Sequence, residues 1–175
     1  MLGIAGIFSE FIFIKNMKRI VTTALCLGLI FLTAGAQRIE GEKVREALES
    51  KNFVFKAEFV SPQRGTTRPL TPEYDLKVNE EKLVSFLPYF GRAFIAPVDP
   101  SRGPIQFTSE KFDYKWTKQK KNRWEVTIIP RDVSDVRELF LTIFDNGRAS
   151  LRVNSNSRES ISFTGYIGHI EKKDS

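Results

Sequence analysis

One cysteine and one histidine among 175 residues leave this chain almost without soft ligands. A disulfide framework needs cysteine pairs, and the common zinc sites take three or four Cys and His ligands, so both are excluded. No metal and no cofactor is expected. Also missing are the G-x-S-x-G nucleophile elbow, H-E-x-x-H, the phosphate-binding P-loop and the G-x-G-x-x-G dinucleotide fingerprint. Glycine (11) and proline (8) are too sparse for a collagen-like or low-complexity chain. What remains is an ordinary globular mixture, 41% hydrophobic and 27% charged, with a formal charge of +6 and 15 phenylalanines. That composition excludes a mostly disordered chain and a polytopic membrane protein.

The first 36 residues of the chain read as an address. Met17-Lys18-Arg19 precedes the 13-residue apolar run Ile20 to Leu32, and Thr33-Ala34-Gly35-Ala36 follows. Thirteen residues suffice for a signal-peptide core but fall short of the roughly 20 that span a bilayer. Ala34 and Ala36 supply the small side chains of an A-x-A cleavage site, so the mature chain is expected to begin at Gln37. Residues 1–36 are thus assigned as a signal peptide, with Met17 as initiator and Met1 to Asn16, interrupted by Glu10, as an upstream mis-start. A double membrane anchor is the alternative. Cys26 is a poor lipidation site, because Leu25 stands where a small residue is wanted. Cleavage removes Lys15, Lys18, Arg19 and Glu10, which lowers the charge from +6 to +4 and leaves no cysteine. An export signal followed by a thiol-free chain predicts a periplasmic or extracellular protein that is not transmembrane once mature.

Residues 37–175 are the size of one domain. Val44, Ala47 and Leu48 form one apolar stripe over Arg38 to Ser50, which predicts a short amphipathic helix. After Asn52 the hydrophobic period changes from 3.6 to 2. Phe53, Phe55, Ala57 and Phe59 share one face of a strand. Tyr74, Leu76 and Val78 form a second, Lys82 to Leu87 a third, and Ile105 and Phe107 open another. Phe112, Tyr114 and Trp116 alternate with polar residues. Lys118 to Asn122 then turns the chain back along Trp124, Val126 and Ile128. Asn146-Gly147 suits a two-residue type I′ hairpin, which opposes Asp145 to Arg148, Phe144 to Ala149, Thr142 to Leu151 and Phe140 to Val153. In that register Phe140, Thr142 and Phe144 face the core, with Leu141 and Ile143 on the mixed face. Glu159 to Ile167 is the last strand. No helix-length crossover separates any pair of strands, so the fold class is mainly β: an antiparallel β-sandwich or small barrel-like sheet with one short N-terminal helix.

Leu87-Pro88-Tyr89-Phe90-Gly91-Arg92-Ala93, the block Leu139 to Gly147 and the closing segment Ile161 to Ile167 together resemble a known family. It is the secreted domain-of-unknown-function family common in gut-type Bacteroidetes, whose members share an LPYFGRA-like segment. The resemblance covers most of residues 44–167. It implies export and a single domain, and it brings no catalytic residues.

Two clusters stand out as candidate binding sites. In the first, Tyr89, Phe90, Arg92 and Phe94 surround Pro88 and Gly91, beside the proline-rich loop Pro97 to Pro104. Tyr89 and Arg92 at the rim of an apolar cleft would orient a carboxylate or sugar hydroxyls; the plainer reading is a strand-ending bend whose rings plug the core. In the second, Lys118, Lys120, Lys121 and Arg123 lie between Trp116 and Trp124. This basic hairpin suits phosphates, lipopolysaccharide or stacked sugars, or is a solvated tip that guards a sheet edge. In Asp132 to Asp135, Asp132 or Ser134 is expected to cap a turn before Val136 in preference to forming a calcium loop, and His169 lacks a partner motif. The expected function is therefore a non-catalytic binding or envelope-interaction module. Its partners would be envelope glycan, lipid or protein, with nucleic acid disfavoured by export. The alternatives are an assembly partner that uses sheet-edge pairing and, behind it, a hydrolase with a carboxylate pair formed only in three dimensions.

Overall fold

A computed structural model describes residues 40–93 and 103–170. Residues 1–39, on which the signal-peptide expectation falls, Phe94 and most of the proline-rich loop lie outside the described residues. Helix α1 spans Glu42–Glu49. Ten strands follow among the described residues: β1 Phe53–Pro62, β2 Arg68–Pro69, β3 Asp75–Val78, β4 Leu83–Leu87, β5 Ile105–Ser109, β6 Phe112–Gln119, β7 Arg123–Pro130, β8 Val136–Phe144, β9 Arg148–Ser155 and β10 Ile161–Gly168. They form one antiparallel sheet in the order β5-β4-β3-β1-β10-β9-β8-β7-β6, with β2 paired only to β1. One continuous sheet, bent until it nearly closes, settles the choice in favour of a barrel-like fold over a two-sheet sandwich.

The bend has local causes. Between Ala57 and Phe59 the β1–β10 register slips, so Glu58 is an extra residue and the strand kinks. A second slip lies between Val136 and Glu138. Opposite the first sits Gly165, where an added Cβ would stand 1.9 Å from the Lys56 carbonyl oxygen. Only glycine lets the two backbones approach so closely. The bulge also corrects the expected aromatic face of β1. Phe53, Phe55 and Ala57 are buried as anticipated, but Val60 takes the next inward position and Phe59 turns outward, 42% exposed.

The β8–β9 hairpin departs from expectation by one residue. Leu139 opposes Val153, Leu141 opposes Leu151 and Ile143 opposes Ala149. The Gly147 amide donates to the Phe144 carbonyl at 2.9 Å, and only Gly147 (φ 73°) is left-handed in this turn. The loop is therefore Asp145-Asn146-Gly147, a type I turn closed by a left-handed glycine, and not a two-residue I′ turn. A one-residue slip exchanges the faces of a strand. Leu139, Leu141 and Ile143 are consequently core, whereas Phe144 is exposed. Three aliphatic side chains fully withdrawn from water, at about 1.5–3 kcal/mol each, decide the register against the aromatic alternative.

α1 is tied at both ends. The Gly41 amide donates to the Asp145 carbonyl at 2.6 Å, and the Tyr114 hydroxyl donates to the Leu48 carbonyl at 3.0 Å. Val44, Ala47 and Leu48 are buried, as their spacing predicts. At the carboxyl end Lys51 adopts φ 48°, and the Asn52 amide reaches the Ala47 carbonyl at 3.0 Å, the C-terminal arrangement usually given to glycine.

The two ends of the sheet, β5 and β6, are joined through only Glu110-Lys111. Asp132 holds this corner: its carboxylate accepts from the Ser109 hydroxyl and from the amides of Glu110 (2.9 Å) and Lys111 (3.3 Å). These hydrogen bonds, led by that of Ser109, hold its pKa below the ordinary 3.8. Asp132 is thus a structural cap, but of the β5–β6 corner and not of the turn before Val136 that the sequence suggests.

Two outcomes follow for stability. Gly165→Ala is expected to cost at least about 2–3 kcal/mol, because the added methyl meets backbone that cannot rotate away; chemical denaturation measures it, and a loss under 1 kcal/mol would contradict the close approach. A carboxylate with a lowered folded pKa contributes stability above its unfolded value that fades as pH falls through the folded one. The melting temperature of Asp132→Asn should therefore lie below that of the parent at neutral pH and converge on it below about pH 4. A gap constant across that range would contradict the corner cap.

Candidate functional site

The Tyr89 segment begins where β4 stops at Leu87 and Pro88, which has no amide to donate, ends the ladder. The chain folds back so that the Tyr89 hydroxyl lies 2.8 Å from the Arg92 carbonyl and 3.0 Å from the Glu159 carbonyl. One proton thus serves two acceptors on different segments. Gly91 sits beneath the phenol, where a Cβ would stand 2.5 Å from its oxygen. Across the ring's face the Arg158 guanidinium stacks at 5.1 Å. Arg158 is itself buried, donating to the Gly103 carbonyl at 2.9 Å and pairing with Asp135 at 3.2 Å. Asp135 also accepts from the Ser157 hydroxyl. Burial first, and then the Glu159 carboxylate, push the Tyr89 pKa above 10, so the phenol stays a donor. The residues of this motif fasten β4 to the approach to β10, and the phenol is consumed in that task. The Arg92 side chain is exposed while its carbonyl takes both the phenol and the Glu159 amide (3.0 Å). Phe90 is 44% exposed, with the Arg68 guanidinium 5.3 Å above its ring. Phe94 lies outside the described residues.

The basic cluster is divided by the pleat. Trp116 and Lys118 lie on the same row of β6 as Phe112 and Tyr114, with Lys118 exposed at its end, and Lys120 and Lys121 are exposed at the β6–β7 tip. Lys121 and Asn122 at that tip have φ of 62° and 49°. Arg123 points to the outer face, 3.3 Å from Glu125. The Lys118 ammonium sits 5.7 Å from the centre of the Trp124 ring. Trp124 is 4% exposed, and its indole N–H has no hydrogen-bond partner among the described residues.

Sequence reasoning missed what surrounds this cluster. Along the inward rows of β1, β3, β4 and β7 to β10 the aliphatic and aromatic side chains are buried, whereas the two end strands keep half-covered aromatic ones. These are Phe107 on β5 and Phe112, Tyr114 and Trp116 on β6, all packed against the core yet partly open along the unclosed seam. Tyr114 is fixed by its bond to Leu48, its pKa is pushed well above 10 by burial, and the Lys51 ammonium lies 5.6 Å from its ring centre. The common parity of residues 112, 114, 116 and 118 was a signal for the shared face. The openness of that face depends on which strands end the sheet, and no local pattern carries that.

Carboxylates are engaged elsewhere. Asp75 lies 2.8 Å from Lys56 and 3.8 Å from Lys77, and Glu159 lies 3.6 Å from Arg64. Among the described residues no group of three His, Cys, Asp or Glu could hold a metal ion, and His169 is exposed beyond β10.

Fold and site define a nearly closed antiparallel barrel with a short helix and an aromatic seam. The chain belongs to the domain of unknown function family DUF4251, which matches residues 36–167. Among solved structures it is similar to a DUF4251 family protein from Bacteroides eggerthii DSM 20697, determined by crystallography at 1.95 Å. Identity is 19% and the TM-score 0.54, over 73% of this chain and 86% of that one; at this identity the likeness shows the fold. No curated protein matches this chain. No helix among the described residues is long and apolar enough to cross a membrane, which says nothing of the strands.

Tyr89→Phe tests the latch. Removing a hydroxyl that serves two carbonyls should cost about 1–2 kcal/mol in chemical denaturation while the native spectrum is kept. An unchanged midpoint would contradict the assignment.

Proposed function

We propose that this protein is an exported, non-catalytic binding module of the cell envelope, with its binding face along the seam between β5 and β6. The observation that carries the reading is the half-covered aromatic row Phe107, Phe112, Tyr114 and Trp116 on the two end strands of the sheet. An apolar row left partly open in a folded domain usually has an occupant. The leader-like residues 1–36 support export to the periplasm or beyond, with Gln37 as the first mature residue. Against a hydrolase, the buried carboxylates Asp75 and Glu159 are each paired with a cation, Lys56 and Arg64, and not with one another. In this reading Tyr89 and Arg92 act as scaffold, and Phe90 beneath Arg68 extends the accessible aromatic surface. Lys120 and Lys121 give the hairpin tip its attraction for anionic surfaces.

A second reading rests on β5 and β6 being the two ends of the strand path. β6 spans eight residues, and among the described residues no strand pairs with its outer edge, on which a partner's strand would add.

Expression with its own leader, fractionation and amino-terminal sequencing should return a mature chain starting at Gln37 outside the cytoplasm; an intact leader retained inside would contradict export. A neutral apolar dye such as N-phenylnaphthylamine should show saturable emission enhancement with the native protein, reduced several-fold by Trp116→Ser. No enhancement from the native protein would contradict the open row.

A further inference from the structure

We infer that the seam binds an amphipathic anion: a single acyl chain lying along Phe112, Tyr114 and Trp116, with its carboxylate or phosphate held by Lys118 and the Trp124 indole N–H. This deepens the proposed binding function and rests on it.

Three observations converge. First, Trp124 is the only described buried aromatic whose polar atom lacks a hydrogen bond, whereas the Tyr114 hydroxyl on the same face is satisfied by Leu48. A buried N–H without an acceptor costs about 1–3 kcal/mol, so such groups normally mark a ligand or a water. An indole N–H donates only, so what it lacks is an acceptor. Second, Lys118 lies opposite Trp124 in the β6–β7 pairing, and its ammonium hangs over that ring. Third, Lys51 reaches over the neighbouring Tyr114 ring from the end of α1. Neither lysine has a carboxylate partner among the described residues, while the nearby acids are engaged: Glu125 with Arg123 and Gln119, Asp145 with Asn122, and Glu42 and Glu49 with Arg45. Two ammonium groups therefore flank an apolar row and a spare donor. A neutral lipid or a sugar would leave that charge unused. A small inorganic anion would leave the aromatic row uncovered.

The chain's two tryptophans are Trp116 and Trp124, so intrinsic fluorescence reports on this site directly. The test titrates the intact mature protein with decanoate, with decanol and with inorganic phosphate, following tryptophan emission and, in parallel, calorimetry. Decanoate is expected to bind at least tenfold more tightly than decanol, and phosphate alone more weakly than either. Lys118→Gln and Trp124→Phe should each weaken decanoate about tenfold while changing decanol less than twofold. Both variants are first confirmed to be folded by thermal melting, and Lys118→Gln alters an exposed side chain, so at least this variant reads binding. Equal affinity for decanoate and decanol, insensitive to Lys118→Gln, would overturn the anion site while leaving the apolar binding face intact. Absence of binding by every probe would overturn both. Concentration-dependent dimers that exclude decanoate would overturn the lipid assignment in favour of a strand-pairing partner.

Discussion

Curvature is the constraint on which the rest of this structure depends. A single antiparallel sheet can hide one face from water only by bending around it, and here the bend comes from the bulge at Glu58 and the close contact of Gly165 with the β1 backbone. With that curvature the inward rows of seven strands meet as one core that includes Phe53, Phe55, Leu141 and Phe163. The sheet nevertheless runs out of strands before it closes. β5 and β6 meet at the corner held by Asp132 and are left as the ends of the strand path. The seam and its half-covered rings follow from that topology, and so does everything proposed about binding.

The same constraint explains where polar chemistry is used. The LPYFGRA segment looks like a site because it concentrates a phenol, a guanidinium and a glycine, but a nearly closed barrel needs its long connections tied down. Tyr89 does this through two carbonyls and Arg158 through Asp135 and Gly103. These groups satisfy one another, which is how a buried polar network stabilises a fold. The Trp124 N–H and the Arg123 Nε are the exceptions among the described residues, adjacent on β7, the strand next to β6.

Much of this was legible in the sequence. The apolar stripe of Val44, Ala47 and Leu48 placed the helix, and the alternation of Trp124, Val126 and Ile128 placed a buried strand. Mainly β architecture followed from short strands without crossovers. The failures share a physical origin. Asn146-Gly147 fits both a two-residue turn and the type I turn with a left-handed glycine, and the choice falls to whichever row packs better against distant strands. Phe59 left the core because of an inserted residue that only β10 reveals. Pairing of β1 with β10, and the end positions of β5 and β6, are non-local. The row at residues 112 to 118 could be read as one face, but not as one left partly open.

Residue-resolved amide hydrogen exchange by NMR tests the central claim of an unclosed sheet most directly. Amides of β1 and β7 to β10 should be strongly protected, whereas in β6 protection should alternate, with the amides bonded to β7 slow and those between them fast. Uniform slow exchange along both β5 and β6 would mean that the barrel is sealed and would contradict this account.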